Sequence, residues 1–232
     1  MKRGFVTFDY GQTLCDIDTD MLAARCRERG AEADGARLEA ALDGAWAAYD
    51  AGIGRGEGGH PWKTFMRALL TGGAIEGDVA SLVDFLWDAQ PTRNLWRRPV
   101  PGMLELAEEL VGAGVGVAII SNSEGHLAEL LAEVGLAELF PIALDSGKLG
   151  LEKPDPRIFE RALAELGARP HEAVHVGDSF AADVRGALGA GLAAVWFRGR
   201  APATTELDPA RVRVAHDAAS ARSALRTLGV PI

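Results

Sequence analysis

The first ten residues constrain the fold of this chain more strongly than any other segment. Phe5 to Phe8 is a short, β-rich apolar run that leads directly into Asp9 and the turn residue Gly11. Such a run predicts a buried strand. Ligands of α/β sheets bind outside the carboxyl ends of the strands, so Asp9 would lie at the mouth of a site as a nucleophile or metal ligand. A surface aspartate at a turn is the alternative that these residues alone leave open.

From residue 99 onward, short apolar runs alternate with helical stretches, which is typical of a parallel sheet with crossover helices. Strands are predicted at 115–120, 142–144, 173–176 and 193–197. Helices are predicted at 102–111, 126–134, 156–166, 181–188 and 218–228. The sequence therefore predicts an α/β core with a doubly wound parallel sheet.

Residues 16–98 have a different pattern, with helices predicted at 20–29, 37–49, 62–70 and 78–87. The glycine-rich stretch 52–59 follows a helix and lacks a Gly-Lys-Ser/Thr ending, so we interpret it as a flexible connector and not as a phosphate loop. We predict that the tryptophans of this region pack a small helical domain, although one or two could face a substrate cleft: Trp46, Trp62, Trp87 and Trp96. The predicted domains are a core of residues 1–15 and 99–232 and a helical insertion of residues 16–98.

Composition limits the classes of partner. The net charge of −9 argues against nucleic acid and anionic membrane surfaces, because both require a basic face. No segment approaches the roughly 18–20 apolar residues of a membrane span, and the apolar stretch before Asp9 is too short for a signal peptide. Cys15 and Cys26 have no metal-ligand spacing and indicate a reducing compartment, so we expect a cytoplasmic protein. The oligomeric state is not indicated.

Four segments carry polar residues at predicted strand ends or helix starts. They are Asp9 to Leu14, Ser121-Asn122, Lys153 to Pro156, and Gly177 to Asp183 with its two acids Asp178 and Asp183. The Ser121 hydroxyl and Asn122 amide suit phosphate oxygens, and Lys153 precedes a helix start where an anion is favoured. Each segment alone is weak evidence, but their order and placement predict one anion-binding site.

This ordered set resembles the haloacid dehalogenase (HAD) superfamily over nearly the whole chain, and the helical insertion resembles the C1 cap of its subfamily I. The resemblance implies a Rossmann-like core in which Asp9 is the nucleophile and forms an aspartyl-phosphate in phosphatases. It also implies that Ser121 and Lys153 hold the transferring phosphoryl group.

The resemblance further implies Mg²⁺ as cofactor. Asp178 would bind the metal together with Asp9 and the carbonyl of Gly11, with Asp183 as a supporting residue. Carboxylates, a carbonyl and waters form the oxygen ligand set that Mg²⁺ prefers.

One position departs from the family pattern. Phosphatases of this family usually carry a second aspartate where this chain has Gly11, and Gln12 stands where glycine is usual. Loss of general acid–base catalysis typically costs about 10²–10⁴ in rate. Asp16, Asp18 and His60 are nearby groups that could replace the missing acid, although solvated hinge acids are the simpler interpretation of Asp16 and Asp18.

Three functions remain open on the sequence alone. The first is a Mg²⁺-dependent phosphatase acting on a small phosphorylated metabolite, with the cap closing over the substrate. The second is a 2-haloacid dehalogenase, which also lacks the second aspartate but does not need the metal-binding acid at Asp178. The third is a catalytically weak binding protein with the same fold, supported only by Gly11.

Overall fold

The structure is a computed structural model that describes residues 4–55, 61–198 and 207–232. The chain divides into two compact units. The core unit contains Met1–Asp16 and Arg97–Ile232, and the helical unit contains Ile17–Trp96. The glycines at 56–59 and His60 lie outside the described residues, so the predictions made for them stay predictions.

The strands of the described residues are β1 (Phe5–Phe8), β2 (Cys15–Ile17), β3 (Trp96–Pro99), β4 (Gly116–Ser121), β5 (Ala143–Asp145), β6 (Ala173–Gly177), β7 (Ala193–Phe197) and β8 (Val212–Ala215). Six of them form one sheet in the order β5-β4-β1-β6-β7-β8, and every pairing is parallel. The chain adds strands outward from β1 in both directions, so the strand order reverses at the centre of the sheet. Parallel α/β sheets bind ligands at such a reversal.

The helices are α1 (Thr19–Glu28), α2 (Gly35–Arg55), α3 (Pro61–Gly72), α4 (Val79–Ala89), α5 (Met103–Gly112), α6 (Leu127–Glu133), α7 (Ser146–Leu149), α8 (Pro156–Leu166), α9 (Arg185–Gly189) and α10 (Ala218–Thr227). In the core unit, α8 and α9 share an apolar cluster with one face of the sheet. Helix α5 contacts β4, helix α10 contacts β7 and β8, and the two helices contact each other. The predicted α/β fold with helices flanking a parallel sheet is confirmed.

Local signals explain why several predicted boundaries agree with the structure. Helix α8 begins after Asp155, whose carboxylate accepts the Arg157 N–H, and it has Pro156 in its first turn. It ends at Gly167, whose φ of +67° favours glycine. These signals predicted residues 156–166, and the structure has a helix over those residues.

In the helical unit, α1 to α4 pack around an apolar core that includes two of the tryptophans. Trp46 and Trp62 are buried, and Trp87 and Trp96 are partly buried against the same core. The ring centroids of Trp46 and Phe65 lie 4.0 Å apart. The prediction that these tryptophans pack the helical region is confirmed. Across the described ranges, no helix is long and apolar enough to cross a membrane.

Candidate active site

Asp9 follows the central strand β1 and lies at the reversal point of the sheet. Its backbone N–H donates to the carbonyl of Val176 on β6 at 2.8 Å, which continues the β1–β6 ladder up to the carboxylate. The residue is only 8% exposed. The sheet therefore fixes the backbone of Asp9 and presents its side chain at the carboxyl edge of the strands.

Lys153 forms the centre of the polar cluster around Asp9. Its Nζ donates to Asp9 Oδ1 at 2.5 Å and to Asp183 Oδ1 at 2.7 Å. The lysine side chain is 2% exposed, so this cation lies between two carboxylates with little access to water. Buried ions need such partners, because the loss of hydration is otherwise not compensated.

A missing side chain at Gly177 makes room for Asp183. A Cβ on Gly177 would lie 2.3 Å from Cγ of Asp183, so any side chain there would displace the carboxylate. The chain turns after β6 through a π-helical segment, Phe180–Val184, which begins after Ser179. The Ser179 N–H donates to Asp183 Oδ2 at 2.9 Å. The Asp183 carboxylate is thus held by a backbone N–H on Oδ2 and by the Lys153 ammonium on Oδ1.

The pKa values of the two buried carboxyl groups, Asp9 and Asp183, are shifted in opposite directions. Burial raises the pKa of Asp9 to about 6; the Lys153 cation opposes this shift and the nearby Asp183 adds to it. Burial alone would also raise the pKa of Asp183, but Lys153 and a hydrogen bond from His175 hold it below its ordinary value. The Lys153 pKa lies above its ordinary value, because attraction to Asp183 and Asp9 outweighs burial. Asp183 therefore acts as the permanent counter-ion of the lysine.

Asp178 completes a group of three carboxylates. One oxygen each from Asp9, Asp178 and Asp183 can be chosen so that all lie within 4.8 Å of one another. The backbone carbonyl of Asp178 accepts the indole N–H of Trp196 at 2.9 Å, which ties this turn to strand β7. Because the donor set contains only hard oxygen atoms, it fits Mg²⁺. Both oxygens of Asp183 already accept hydrogen bonds, Oδ1 from Lys153 and Oδ2 from the Ser179 N–H.

The second motif supports the lysine backbone. Ser121 ends strand β4 and is buried. The Asn122 amide forms a reciprocal pair with Lys153: its Nδ2 donates to the Lys153 carbonyl at 3.0 Å, and its Oδ1 accepts the Lys153 N–H at 2.8 Å. Asn122 therefore has a clear part in fixing the Lys153 backbone, while its direct contact with phosphate stays a prediction.

The backbone conformation at position 12 favours glycine, although this chain has Gln12 there. Gln12 has a φ of +60°, which lies in the left-handed region. Its N–H donates to the Cys15 carbonyl at 2.9 Å, and its side chain is buried. Among the described glycines, those with positive φ do not include Gly11. A side chain at position 11 would therefore not meet that particular strain.

The two nearby acids are held by other groups. Arg198 donates to both carboxylate oxygens of Asp16, at 2.7 and 3.2 Å, and Arg98 lies 4.0 Å from the same carboxylate. The Asp18 carboxylate accepts the Met21 N–H at 2.8 Å and caps helix α1. These contacts favour the structural interpretation of both acids.

Two buried polar residues of the cluster carried no sequence signal. His175 on β6 is fully buried, and its Nε2 lies 3.1 Å from Asp183 Oδ1. Its Nδ1 lies 2.8 Å from the hydroxyl of Thr7 on β1. A histidine within an apolar strand is typical of many cores, and only the register that places Thr7 beside His175 links both to the site.

Comparison with known proteins is consistent with this arrangement. The family model of haloacid dehalogenase-like hydrolases matches residues 5–191. The phosphoserine phosphatase of Thermus thermophilus is 34% identical over 176 residues, which are 73% of this chain and 69% of that protein. Haloacid dehalogenase-like hydrolase domain-containing protein 3 of Bos taurus is 31% identical over 228 residues, 90% of this chain and 86% of that protein.

A solved structure has the same fold. The putative HAD-hydrolase YfnB from Bacillus subtilis superposes with a TM-score of 0.71 and 18% identity, covering 99% of this chain and 100% of that one. This similarity concerns the fold alone. Since the family model spans most of the chain and two relatives exceed 30% identity over more than two thirds of it, the chain belongs to the haloacid dehalogenase-like hydrolases.

Proposed function

We propose that this protein is a Mg²⁺-dependent phosphatase that acts on a small phosphorylated metabolite. The observation that carries the proposal is the Lys153 ammonium 2.5 Å from the Asp9 carboxylate, beside the acids Asp178 and Asp183. A cation and an oxygen ligand set at one carboxylate are the groups that phosphoryl transfer requires. The similarity to a protein named phosphoserine phosphatase supports the same reaction class.

The proposed mechanism has two displacements at phosphorus. An Asp9 carboxylate oxygen attacks the phosphorus in line with the ester oxygen, and an aspartyl-phosphate forms. The P–O bond to the ester oxygen breaks, and this oxygen leaves with the electron pair and takes a proton from water. Water then attacks this phosphorus and returns Asp9 and inorganic phosphate. Lys153 and the Ser121 hydroxyl stabilise the charge on the phosphoryl oxygens. Mg²⁺ bound by Asp9, Asp178 and the Gly11 carbonyl would reduce the repulsion between carboxylate and phosphate.

The function is tested with purified protein, a panel of phosphate monoesters and 2-chloropropionate, each with Mg²⁺ and with excess EDTA. We expect phosphate release only with Mg²⁺ and no chloride release. Chloride release that persists in EDTA would reject the phosphatase and favour the dehalogenase. Mg²⁺ binding without turnover of either substrate class would favour the non-catalytic alternative.

The metal assignment predicts a specific loss in Asp178→Ala. Calorimetric titration should give a Mg²⁺ affinity about 10-fold or more below that of the wild type, since even changes outside the ligand shell typically cost 10–100-fold. Asp88→Ala, a change of an exposed acid in α4, is the matched control and should leave the affinity unchanged. Equal Mg²⁺ affinity in wild type and Asp178→Ala would remove Asp178 from the metal site.

Gly11 predicts a strong dependence on the leaving group. p-Nitrophenolate leaves without a proton, whereas a sugar alkoxide needs one, so the wild type should hydrolyse the aryl ester far faster. Gly11→Asp should raise turnover of the alkyl phosphate more than that of the aryl ester, by up to the ~10²–10⁴ of general acid catalysis. If the wild type hydrolyses both esters equally fast, another group already supplies the proton.

A further inference from the structure

Thr7 and His175 form a buried polar pair behind the nucleophile. They are direct partners in the parallel register of β1 and β6, and the Thr7 hydroxyl lies 2.8 Å from His175 Nδ1. Thr7 is 1% exposed and His175 0%. Because side chains two apart on a strand share a face, Thr7 lies on the same face of β1 as Asp9. The pair therefore lies one pleat behind the reacting carboxylate.

The hydrogen-bond chemistry fixes the direction of each contact. The Asp183 carboxylate can only accept, so His175 Nε2, 3.1 Å from its Oδ1, must carry the donated proton. In the neutral ring Nδ1 is then an acceptor, and the Thr7 hydroxyl donates to it. The ring also stands edge-on to Phe159, with centroids 5.1 Å apart, which restricts its rotation. Asp183 thus fixes the tautomer of His175, and the Thr7 hydroxyl satisfies the remaining acceptor Nδ1 and orients the ring.

Asp183 passes this constraint to the lysine. Its Oδ1 accepts from both His175 and Lys153, while its Oδ2 accepts from the Ser179 backbone. Because His175 also donates to Oδ1, the carboxylate of Asp183 is oriented by a second donor besides Lys153. Lys153 remains shared with Asp9, where the phosphoryl group would be transferred.

We propose that Thr7 and His175 are positioning residues of the hydrolytic reaction. The Thr7 hydroxyl orients the ring of His175, the ring orients Asp183, and Asp183 holds the Lys153 ammonium against Asp9. This inference deepens the phosphatase function proposed above and rests on it for the nature of the reaction. A role in core stability alone would affect the free energy of unfolding and leave turnover per folded molecule unchanged.

The kinetic test compares Thr7→Val with Thr7→Ser. Valine keeps the β-branched shape and removes the donor, whereas serine keeps the hydroxyl. We expect kcat on p-nitrophenyl phosphate to fall about 10–100-fold in Thr7→Val with KM little changed, the scale seen for outer partners of a site, and Thr7→Ser to retain most of the activity. Rates are divided by the folded fraction from urea unfolding. Equal kcat in both variants and wild type would overturn the proposal.

A spectroscopic test does not depend on substrate. In protein with ¹⁵N-labelled histidine, the His175 ring should have a protonated Nε2 and a bare Nδ1, and Thr7→Val should alter both nitrogen signals while Thr7→Ser should not. The signal is assigned by its loss in His175→Gln. If that variant does not fold, it is assigned by elimination with glutamine in turn at the other histidines. A protonated Nδ1 with a bare Nε2, or signals unchanged in Thr7→Val, would overturn the proposal.

The two tests separate this inference from the proposed function. If the wild type hydrolyses no phosphate ester, the phosphatase proposal fails, and the histidine spectra decide whether the Thr7 hydroxyl holds the His175 ring. If the wild type is active and the spectra respond as expected, an unchanged kcat in Thr7→Val would reject the positioning role and leave the phosphatase intact.

Discussion

Asp9→Asn should abolish turnover and leave the fold intact. The amide lacks the charge of the nucleophile, and removal of a covalent nucleophile in other enzymes costs on the order of 10⁴-fold or more. The same change should be tolerated structurally, because asparagine matches the shape of aspartate and its oxygen can still accept from Lys153. Burial already disfavours the charged form of Asp9, whose pKa is raised to about 6. A neutral amide at this position therefore meets little penalty.

The measurement is kcat on p-nitrophenyl phosphate with Mg²⁺, together with the urea midpoint of unfolding. Asp84→Asn is the matched control, since that carboxylate is 65% exposed and pairs only with Lys63 among the ion pairs of the described residues. We expect wild-type activity in Asp84→Asn. Near-normal turnover in Asp9→Asn would mean that another group is the nucleophile.

Lys153→Met should lower both stability and activity. Without the ammonium, Asp9 and Asp183 remain as two buried carboxylates with no cation between them. Removal of one partner of a buried ion pair typically costs about 3–5 kcal/mol in the free energy of unfolding. Loss of one group that stabilises transition-state charge typically costs about 10²–10³ in kcat. Lys148→Met is the control, because Lys148 pairs with Glu129 at the surface, where such pairs contribute about 0–1 kcal/mol.

The loss of stability in Lys153→Met should depend on pH. In the variant, burial and mutual repulsion raise both carboxyl pKa values above those of the unfolded chain, so the variant gains stability as the pH falls through the raised values. In the wild type only the pKa of Asp9 is raised, to about 6, whereas the depressed pKa of Asp183 contributes stability that is lost only below the unfolded pKa of about 3.9. The difference in free energy of unfolding between wild type and Lys153→Met, measured in EDTA by urea unfolding, should narrow from pH 7 towards pH 4. A constant difference would contradict the assigned charges.

Much of the fold was predictable because the central strands are continuous apolar runs and the helices have clear caps. The structure differs where these signals are absent. Strand β3 reads Trp-Arg-Arg-Pro and shows no hydrophobic alternation. Strands β2 and β8 are also short, with three and four residues. Helix α2 continues to Arg55, through the first residues of the stretch predicted to be a connector, and the helix as a whole packs against α1 and α3. Intrinsic helix propensity predicts helix ends poorly where tertiary packing also contributes.

The site was predictable to the extent that it lies at strand ends. Parallel strands bring their carboxyl ends to one edge, so Asp9, Ser121 and Asp178 could be grouped from the sequence. The partner of Lys153 could not be predicted in the same way. Asp183 reaches the lysine through a π-helical turn, in which the Ser179 carbonyl accepts from both Asp183 and Val184. A regular α-helix was predicted there, and a hydrophobic pattern carries no information about one inserted residue.

The central position of β1 has a consequence for how the chain reaches its native state. Phe5 pairs with Gly116 on one side and Ala173 on the other, so every pairing of this strand closes a loop that contains much of the sequence. The entropic cost of closing a loop grows with its length, by about 0.6 kcal/mol per doubling. Strands β2 and β3, at the two ends of the helical unit, pair with each other. Once the unit Ile17–Trp96 has folded, the flexible loop between β1 and β4 consists only of the short segments outside this unit. Early folding of the helical unit would therefore accelerate assembly of the sheet that carries the nucleophile.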